Sequence, residues 1–272
     1  MMRLPMLGGL VCCFSASAVA GPEWMEMVDA GRVPTDAQAV TGTGDGVLII
    51  SGRLEGAGRG VGPGGGDFQD MYLIKIEDPE MFRATTLVEF DGFAEFDAQM
   101  FLFQPDGLDA FARLANLDAA PGFSDPLLLP ISNDGSQAAI TSPGFYYLAI
   151  SGAPSVPVSA SGPMFQFDLP TEVSGPDGNG GFDPIIDWSG PGATGDYRIG
   201  LRGVVSIPVN ELGCDAADVA PSFGFHDMTD ALAFITAYGD GNLLIADLAA
   251  PFGVLDFSDV LAFLLEFADG CP

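Results

Sequence analysis

The sequence predicts a mainly β protein, an antiparallel β-sandwich of the jelly-roll-like kind followed by a small α-helical unit. Two observations support this prediction. Between about residues 44 and 205, short β-prone segments alternate with clusters of Gly, Pro and Asp, as many short strands joined by turns would require. After residue 213 the pattern changes, and apolar residues recur at helical spacing within a repeated segment.

The composition excludes several kinds of partner and site. The chain has 37 acidic and 9 basic residues, for a formal charge of -28, and Lys75 is its only lysine. Nucleic acids and anionic membrane surfaces both require basic patches, so neither is an expected partner. His226 is the only histidine, which argues against Ser-His-Asp, Cys-His and multi-histidine zinc sites. We therefore expect a protein that is not an enzyme.

Residues 1–20 are predicted to be an export signal. Arg3 precedes the apolar stretch Leu4–Phe14, and the small residues Ala18 and Ala20 fit a cleavage site before Gly21. The apolar stretch is shorter than the roughly 18 residues that span a bilayer, so we expect no transmembrane anchor. The sequence thus predicts an exported protein, located at the cell surface or outside the cell.

Export changes the interpretation of the cysteines. Cys12 and Cys13 lie within the signal, which leaves Cys214 and Cys271 at the two ends of the C-terminal unit. In an oxidising compartment this arrangement favours a disulfide, which would stabilise by roughly 4 kcal/mol through loop-closure entropy. Attachment to another molecule through Cys271 is the alternative.

The β-sandwich is expected at residues 36–206. Alternation with period two supports individual strands; in Tyr72–Ile76, for example, Lys75 points away from Ile74 and Ile76. The Gly-rich run 56–66 is interpreted as a flexible loop and not a phosphate-binding loop, because a strand follows it and no Gly-Lys-Ser/Thr ends it. The segment Leu108–Leu117 is predicted as one short helix. The predicted strands are Val47–Ile50, Met71–Ile76, Thr85–Phe90, Ala98–Phe103, Phe145–Ile150, Met164–Phe167 and Tyr197–Val205.

Two clusters of acidic residues within this region could suggest glycoside hydrolysis, which needs two carboxyl groups about 5–10 Å apart across a cleft. In a chain with so many acids, a solvated face or a calcium-stabilised loop is the stronger interpretation. The clusters are Glu77, Asp78 and Glu80, and Glu89, Asp91, Glu95 and Asp97.

Three segments of the predicted sandwich occur in an order typical of one family. They are Asp67–Ile76, Asp97–Gly107 and Pro143–Leu148. Together they resemble the bacterial pre-peptidase C-terminal domains, secreted β-sandwich modules with an Asp-x-Tyr/Phe strand near the start and a Pro-Gly-x-Tyr-Tyr strand later. The resemblance covers roughly residues 67–205. It implies a non-catalytic module that serves adhesion, carbohydrate or protein binding, or secretion.

The C-terminal unit contains a duplication. Residues 217–238 and 246–267 align without gaps at an offset of 29 positions, which indicates two equivalent loop–helix units. One apolar stripe per helix is predicted, and the two stripes are expected to pack against each other. The stripes are Met228, Ala231, Leu232, Ile235 and Tyr238, and Phe257, Val260, Leu261, Leu264 and Phe267.

Each repeat contains Gly-x-x-Asp-x-x-Asp, and the chain ends in Gly-Cys-Pro. These features are similar to the EF-hand calcium loop. Residues 214–272 resemble, more closely, the GC-type dockerin-like domain that ends many exported proteins of planctomycete-type bacteria. The resemblance implies a unit at residues 213–272 that attaches the protein to the envelope or to a cohesin-like protein partner.

Calcium is the one cofactor that the repeats suggest. Compared with a dockerin loop, Asp247–Gly253 is one residue longer and lacks the middle oxygen ligands, so backbone carbonyls and water would have to complete the six to eight ligands that calcium takes. The alternative is that Asp227 and Asp256 cap helices. His226 aligns with Leu255 and is interpreted as a loop side chain. The candidate ligands are Asp218, Asp227, Asp230, Asp247, Asp256 and Asp259.

The favoured function is therefore a non-catalytic surface or extracellular protein, attached through its C-terminal unit, that displays the sandwich for binding or adhesion. The alternative is a polysaccharide-binding accessory protein of an extracellular degrading system. An exposed aromatic platform involving Trp188 or Tyr197 would favour this alternative. A hydrolase that uses acids alone would need a cleft with two facing carboxylates.

Overall fold

The computed structural model describes residues 22–27, 29–57, 66–107, 109–208, 217–220, 226 and 228–269. Short 3₁₀ turns occur at Pro34–Asp36, Pro79–Met81 and Val88–Phe90. The helices are α1 (Met228–Asp240), α2 (Leu243–Ala246) and α3 (Phe257–Asp269). The strands are β1 (Glu23–Met25), β2 (Gln38–Ala39), β3 (Thr41–Gly42), β4 (Ile49–Leu54), β5 (Gly56–Ala57), β6 (Gly66–Asp67), β7 (Gln69–Ile76), β8 (Arg83–Thr85), β9 (Phe93–Ala94), β10 (Ala98–Asp106), β11 (Asp109–Asn116), β12 (Leu127–Leu128), β13 (Gly144–Gly152), β14 (Pro157–Ser159), β15 (Gly162–Pro163), β16 (Val173–Ser174), β17 (Asp187–Trp188), β18 (Gly195–Arg202), β19 (Val204–Val205) and β20 (Ile207–Pro208).

Two mixed sheets form a sandwich-like body that is not closed. The first sheet has the order β1-β4-β18-β8-β12, with β9 also paired to β18. The second has the order β16-β11-β10-β13-β7-β19, with β2 also paired to β7. The long central strands pair antiparallel, whereas β1 joins β4 and β2 joins β7 in parallel. The mainly β class is confirmed. The purely antiparallel sandwich is wrong, because the short strands β1 and β2 pair in parallel with β4 and β7. Alternation within a strand does not encode such a pairing.

Two of the local predictions are wrong in secondary structure. Residues 109–116, predicted as helix, form β11, which pairs antiparallel with β10 across the turn at Gly107. Ala110, Ala112 and Leu114 are buried at every second position, and this period of two prevails over their helix propensity. Thr85–Phe90 is strand only up to Thr85, because a 3₁₀ turn follows and ends at Asp91 with a φ of 63°.

A third local prediction is also wrong. Met164–Phe167 lies outside the regular strands and covers the second sheet as irregular chain. Met164 and Phe165 are nevertheless buried there, so their apolar character reflects burial and not pairing.

The second sheet is buried on both faces. Its inner face, with Met100 and Leu102 of β10, packs against the first sheet. Its outer face, with Phe101 and Phe103, is covered by the chain around Phe165 and by β17. The structure therefore has a third, irregular layer over the two sheets, which explains why β10 and β13 are apolar at nearly every position.

The C-terminal unit is built around two stacked aromatic rings. Phe234 of α1 and Phe263 of α3 stack with ring centroids 4.1 Å apart and planes 9° from parallel. Ala233 and Ala237 are buried beside them. The predicted stripes are only partly correct: Ala231, Tyr238, Val260 and Phe267 pack against this core. Six other members of the stripes are exposed, namely Met228, Leu232, Ile235, Phe257, Leu261 and Leu264.

The buried faces of α1 and α3 instead include small and acidic residues. Asp230 and Asp259 are almost completely buried, as are Ala233 and Ala237 of α1. Small alanines let the two aromatic rings approach closely, and backbone amide donors compensate the two buried acids, as described below. Hydropathy alone cannot identify such a face.

Candidate functional site

A cluster of three carboxylates lies at one end of the sandwich. Asp29, Asp67 and Asp70 each offer an oxygen, and these oxygens all lie within 4.8 Å of one another. No other three acidic, histidine or cysteine side chains among the described residues come this close together. Asp70 is 0% exposed and Asp67 4%, while Asp29 is half-buried.

Three separate parts of the chain position these side chains. Asp70 lies on β7 in phase with Tyr72 and Ile74, both in the core between the sheets, so the pleat directs it to the inner face. Asp67 belongs to the short hairpin of β5 and β6, where it pairs with Gly56. Asp29 belongs to the N-terminal segment, defined here as residues 22–33.

The N-terminal segment bonds to both sheets on either side of Asp29. The amide of Glu26 donates to the carbonyl of Ser51 on β4, at 2.9 Å. The carbonyl of Gly31 accepts from the amide of Met71 on β7, also at 2.9 Å. Asp29 is thereby held beside the carboxylates of the sandwich.

Each buried carboxylate is oriented through one oxygen. The Tyr72 hydroxyl donates to the Tyr197 hydroxyl, which donates to Oδ2 of Asp70 at 2.5 Å. Oδ2 of Asp67 accepts from the amide of Glu55 at 2.5 Å. The other oxygens, Oδ1 of Asp67 and Oδ1 of Asp70, are buried without a hydrogen-bond partner. A buried polar atom left in this state costs roughly 1–3 kcal/mol.

The electrostatics of the cluster oppose full ionisation. Burial raises the pKa of Asp70 well above its usual range, and repulsion from Glu26 and Asp67 raises it further. Burial also raises the pKa of Asp67 to about 6 and that of the neighbouring Glu26 to about 7. The hydrogen bond from Tyr197 lowers the Asp70 pKa but does not offset these effects. Mutual repulsion among these carboxylates therefore favours the binding of a proton or a cation between them.

The two acidic clusters are exposed, as expected, whereas Trp188 and Tyr197 are not. Both acidic clusters, at residues 77–80 and 89–97, have exposed carboxylates, as a solvated face requires. Trp188 and Tyr197 do not form the exposed aromatic platform that would have favoured polysaccharide binding. Trp188 is buried and donates from Nε1 to the carbonyl of Arg32, while Tyr197 is buried beside Asp70. Both aromatic residues fill the interior because each polar atom finds an internal partner.

In the C-terminal unit, several aspartates accept hydrogen bonds from backbone amides. Asp259 accepts at Oδ1 from the amides of Leu248 and Ala249, and at Oδ2 from the amide of Asp256. These bonds, that of Asp256 first among them, lower the pKa of Asp259. Asp230 accepts from the amide of Ala220, the counterpart of Ala249 in the duplication.

The capping interpretation is confirmed for Asp256, whose Oδ1 accepts from the amide of Ser258 at the start of α3. Asp247 accepts from the amide of Gly253, and Asp218 is buried. Asp227 lies outside the described residues, so calcium binding by the six aspartates stays a prediction. His226 stacks on Phe267 at 5.4 Å.

Other predicted features also lie outside the described residues. These are the export signal with its cleavage site at Ala20 and Gly21, and the cysteines Cys214 and Cys271. The disulfide, its alternative and the export of the chain therefore stay predictions. Within the described ranges, none of the helices has the length and apolar character to cross a membrane.

A shallow groove of about 400 Å³ lies at the turn between β10 and β11. Its lining includes Asp106, Arg113 and Phe111, together with Phe182, whose ring is 84% exposed. The groove thus combines an aromatic surface with charged groups of both signs.

No protein-family model, curated protein or solved structure matches this chain. The resemblances to pre-peptidase C-terminal and dockerin-like domains therefore stay predictions. Sequence reasoning did not identify the Asp29–Asp67–Asp70 cluster as a site. One signal was present, since Asp70 occupies the inward phase of an otherwise apolar alternation that runs through Tyr72, Ile74 and Ile76.

Proposed function

We propose that this protein is an exported, non-catalytic surface protein whose C-terminal unit attaches it to a protein partner at the cell envelope. The sandwich, of the jelly-roll-like kind, is then displayed for binding or adhesion. The C-terminal unit is a dockerin-like pair of loop–helix repeats in this proposal.

The supporting observation is a pair of equivalent exposed apolar faces on α1 and α3. Besides Leu265, six large apolar side chains on these helices are 48–74% exposed. They form three pairs, each with the 29-residue offset of the duplication: Met228 with Phe257, Leu232 with Leu261, and Ile235 with Leu264.

Their spacing gives each helix one continuous face. Positions i, i+4 and i+7 lie on the same side of an α-helix, and apolar anchors at this spacing are the usual contacts of a helix that docks into a protein groove. A cluster of exposed apolar side chains on a soluble protein favours an interaction site. Because the same three positions are exposed in both repeats, two equivalent docking faces are the simplest interpretation.

Fractionation of the producing cells tests this function. The wild-type protein should be recovered with the envelope, and the double variant Ile235→Glu/Leu264→Glu should be released into the medium with an unchanged melting temperature. Each single variant should be released less, since one face remains intact. Leu169→Glu is the matched control, because Leu169 is equally exposed but lies in the sandwich. Full recovery of the wild-type protein in the medium, or retention of the double variant, would contradict attachment.

The groove beside Phe182 favours polysaccharide binding as a second candidate function. Sugar rings stack on exposed aromatic faces, and Asp106 and Arg113 offer hydrogen-bonding groups beside the ring. Retention on insoluble glycans that is lost in Phe182→Ala, but kept in the exposed control Phe123→Ala, would support it. No retention of the wild-type protein would exclude it for the glycans used.

A further inference from the structure

We propose that Asp29, Asp67 and Asp70 bind a divalent cation of the calcium type, and that this ion fastens the N-terminal segment to the sandwich. The first observation is geometric: three carboxylate oxygens from distant parts of the chain lie within 4.8 Å of one another. The second is independent of it. Oδ1 of Asp67 and Oδ1 of Asp70 are both buried without a hydrogen-bond donor.

The hydrogen bonds around the cluster match those of a ligand set. Carboxylates that bind metals are usually held in place by a hydrogen bond to their other oxygen. Asp70 is held in this way by Tyr197, which is itself held by Tyr72, and Asp67 by the amide of Glu55. In both residues one oxygen is thus fixed by the protein, and the other is left for a ligand.

The donor atoms select the kind of ion. All three side chains offer only oxygen, which suits hard cations, whereas zinc and copper sites are richer in nitrogen and sulfur. Magnesium requires near-ideal octahedral geometry, while calcium accepts irregular sets of six to eight oxygens that include backbone carbonyls and water. Three carboxylates from a strand, a hairpin and an N-terminal segment form an irregular set, so calcium fits best.

The position of the cluster gives the ion a structural consequence. Asp70 has no exposed surface, so the half-buried Asp29 marks the side from which an ion enters. The N-terminal segment contacts the sandwich through β1 and through the bond between Gly31 and Met71. An ion shared by Asp29, Asp67 and Asp70 would add a further connection to these and to the hydrogen bond that Trp188 donates to the carbonyl of Arg32. None of these residues belongs to the C-terminal unit, so this proposal does not depend on the proposed attachment.

Calcium titration of the full-length chain tests the proposal. After treatment with a chelator, the protein is titrated with calcium chloride by calorimetry and melted with and without calcium at constant ionic strength. We expect one ion at this cluster, with a dissociation constant near the 10⁻⁴–10⁻³ M of extracellular calcium modules. At a hundredfold excess over that constant the melting temperature should rise by roughly 5–10 °C.

Matched variants assign the ion to this cluster. Asp67→Asn and Asp70→Asn should weaken binding at least tenfold, because they remove charge at nearly constant shape. Asp78→Asn, an exposed acid of the sandwich, should bind as the wild type does. Asp247→Asn leaves Asp29, Asp67 and Asp70 intact, so binding at this cluster should persist in it even if the C-terminal repeats take up an ion of their own. If Asp70→Asn fails to fold, Asp29→Asn provides the same comparison on a half-buried residue outside the strands.

Three results would overturn the proposal. The first is the absence of heat and of any melting shift up to 10 mM calcium, a ceiling about tenfold above the weakest sites of this kind. The second is binding that survives in both Asp67→Asn and Asp29→Asn. The third is binding lost only in Asp247→Asn, which would assign the ion to the C-terminal repeats. Slower hydrogen exchange of residues 22–33 with calcium would support the fastening role, and unchanged exchange would refute it.

Discussion

Two groups of buried aspartates in this protein differ in what surrounds their oxygens. In the C-terminal unit, Asp259 receives three backbone amide hydrogen bonds, and its pKa is lowered. In the sandwich, Asp70 receives one hydroxyl hydrogen bond and lies beside other carboxylates, and its pKa is raised. Asp259 is thus stabilised as an anion by the backbone, whereas Asp70 belongs to an anionic cluster with too few donors.

This difference shows why a motif is a weak guide to an ion site. The aspartates of the repeats resemble those of a calcium loop, but amides donate to Oδ1 of Asp230 and to both oxygens of Asp259. The aspartates of the sandwich come from three segments and match no loop motif. What distinguishes Asp259 from Asp70 is the supply of hydrogen-bond donors, and this supply depends on the folded backbone.

The largest expected effect is on the C-terminal unit. Asp230→Ala should lower its free energy of unfolding by about 1–3 kcal/mol, because the buried amide of Ala220 loses its acceptor. Asp230→Asn, which keeps an acceptor oxygen, should cost less. Chemical denaturation followed by circular dichroism at the helical signal measures both. Equal losses in the two variants would mean that the charge, and not the acceptor, matters there.

The two groups should respond to pH in opposite directions. Without divalent cations, the raised pKa of Glu26, from 4.5 to about 7, makes the folded state bind more protons than the unfolded state between these values. The stability of the sandwich should therefore fall as pH rises from about 5 to 7, by roughly 1–2 kcal/mol after allowance for solvent screening. Glu26→Gln should flatten this slope in denaturation curves recorded with a chelator.

The lowered pKa of Asp259 makes the stability of the C-terminal unit change with pH in the opposite direction. Its contribution is present above the unfolded-state pKa of about 3.8 and is lost as pH falls through the folded-state value. The helical signal should thus weaken only below about pH 4, whereas the sandwich gains its stability as pH falls from about 7 to 5. Parallel pH profiles for the two regions would contradict the comparison.

A smaller effect is expected for Asp70→Asn in the presence of a chelator. The substitution removes a buried carboxyl group that lies beside other carboxylates, while Tyr197 keeps an acceptor. The free energy of unfolding should therefore stay the same or rise by up to about 1 kcal/mol, as thermal melting would show. In calcium the same variant should be less stable than the wild type. A variant that is less stable under both conditions would show that Asp70 is needed for packing alone.

The smallest effect on stability is expected for Asp78→Asn, which serves as the reference variant. Asp78 is exposed, although its Oδ1 accepts weakly from the Met81 amide at 3.3 Å. Asp78→Asn should change stability by no more than about 0.5 kcal/mol, as most surface substitutions do. A larger change, measured by thermal melting with and without calcium, would mean that long-range charge repulsion contributes to all the other results.

The sequence by itself determined the mainly β class and the positions of the long strands β7, β10, β13 and β18. Turn residues and period-two apolar patterns are local properties, so they are visible without the fold. The duplication was visible for the same reason, and its equivalent bonds from Ala220 to Asp230 and from Ala249 to Asp259 are present in the structure.

The tertiary structure alone decided which residues meet and which faces are covered. Asp29 and Asp70 are 41 positions apart, and only the pairing of the N-terminal segment with both sheets brings them together. The tertiary structure also buries Trp188 and leaves Leu232 and Leu261 exposed, although leucine is the more hydrophobic residue on hydropathy scales. The physical reason is that local periodicity specifies the direction of a side chain, whereas burial and hydrogen-bond supply depend on segments that pack from elsewhere in the chain.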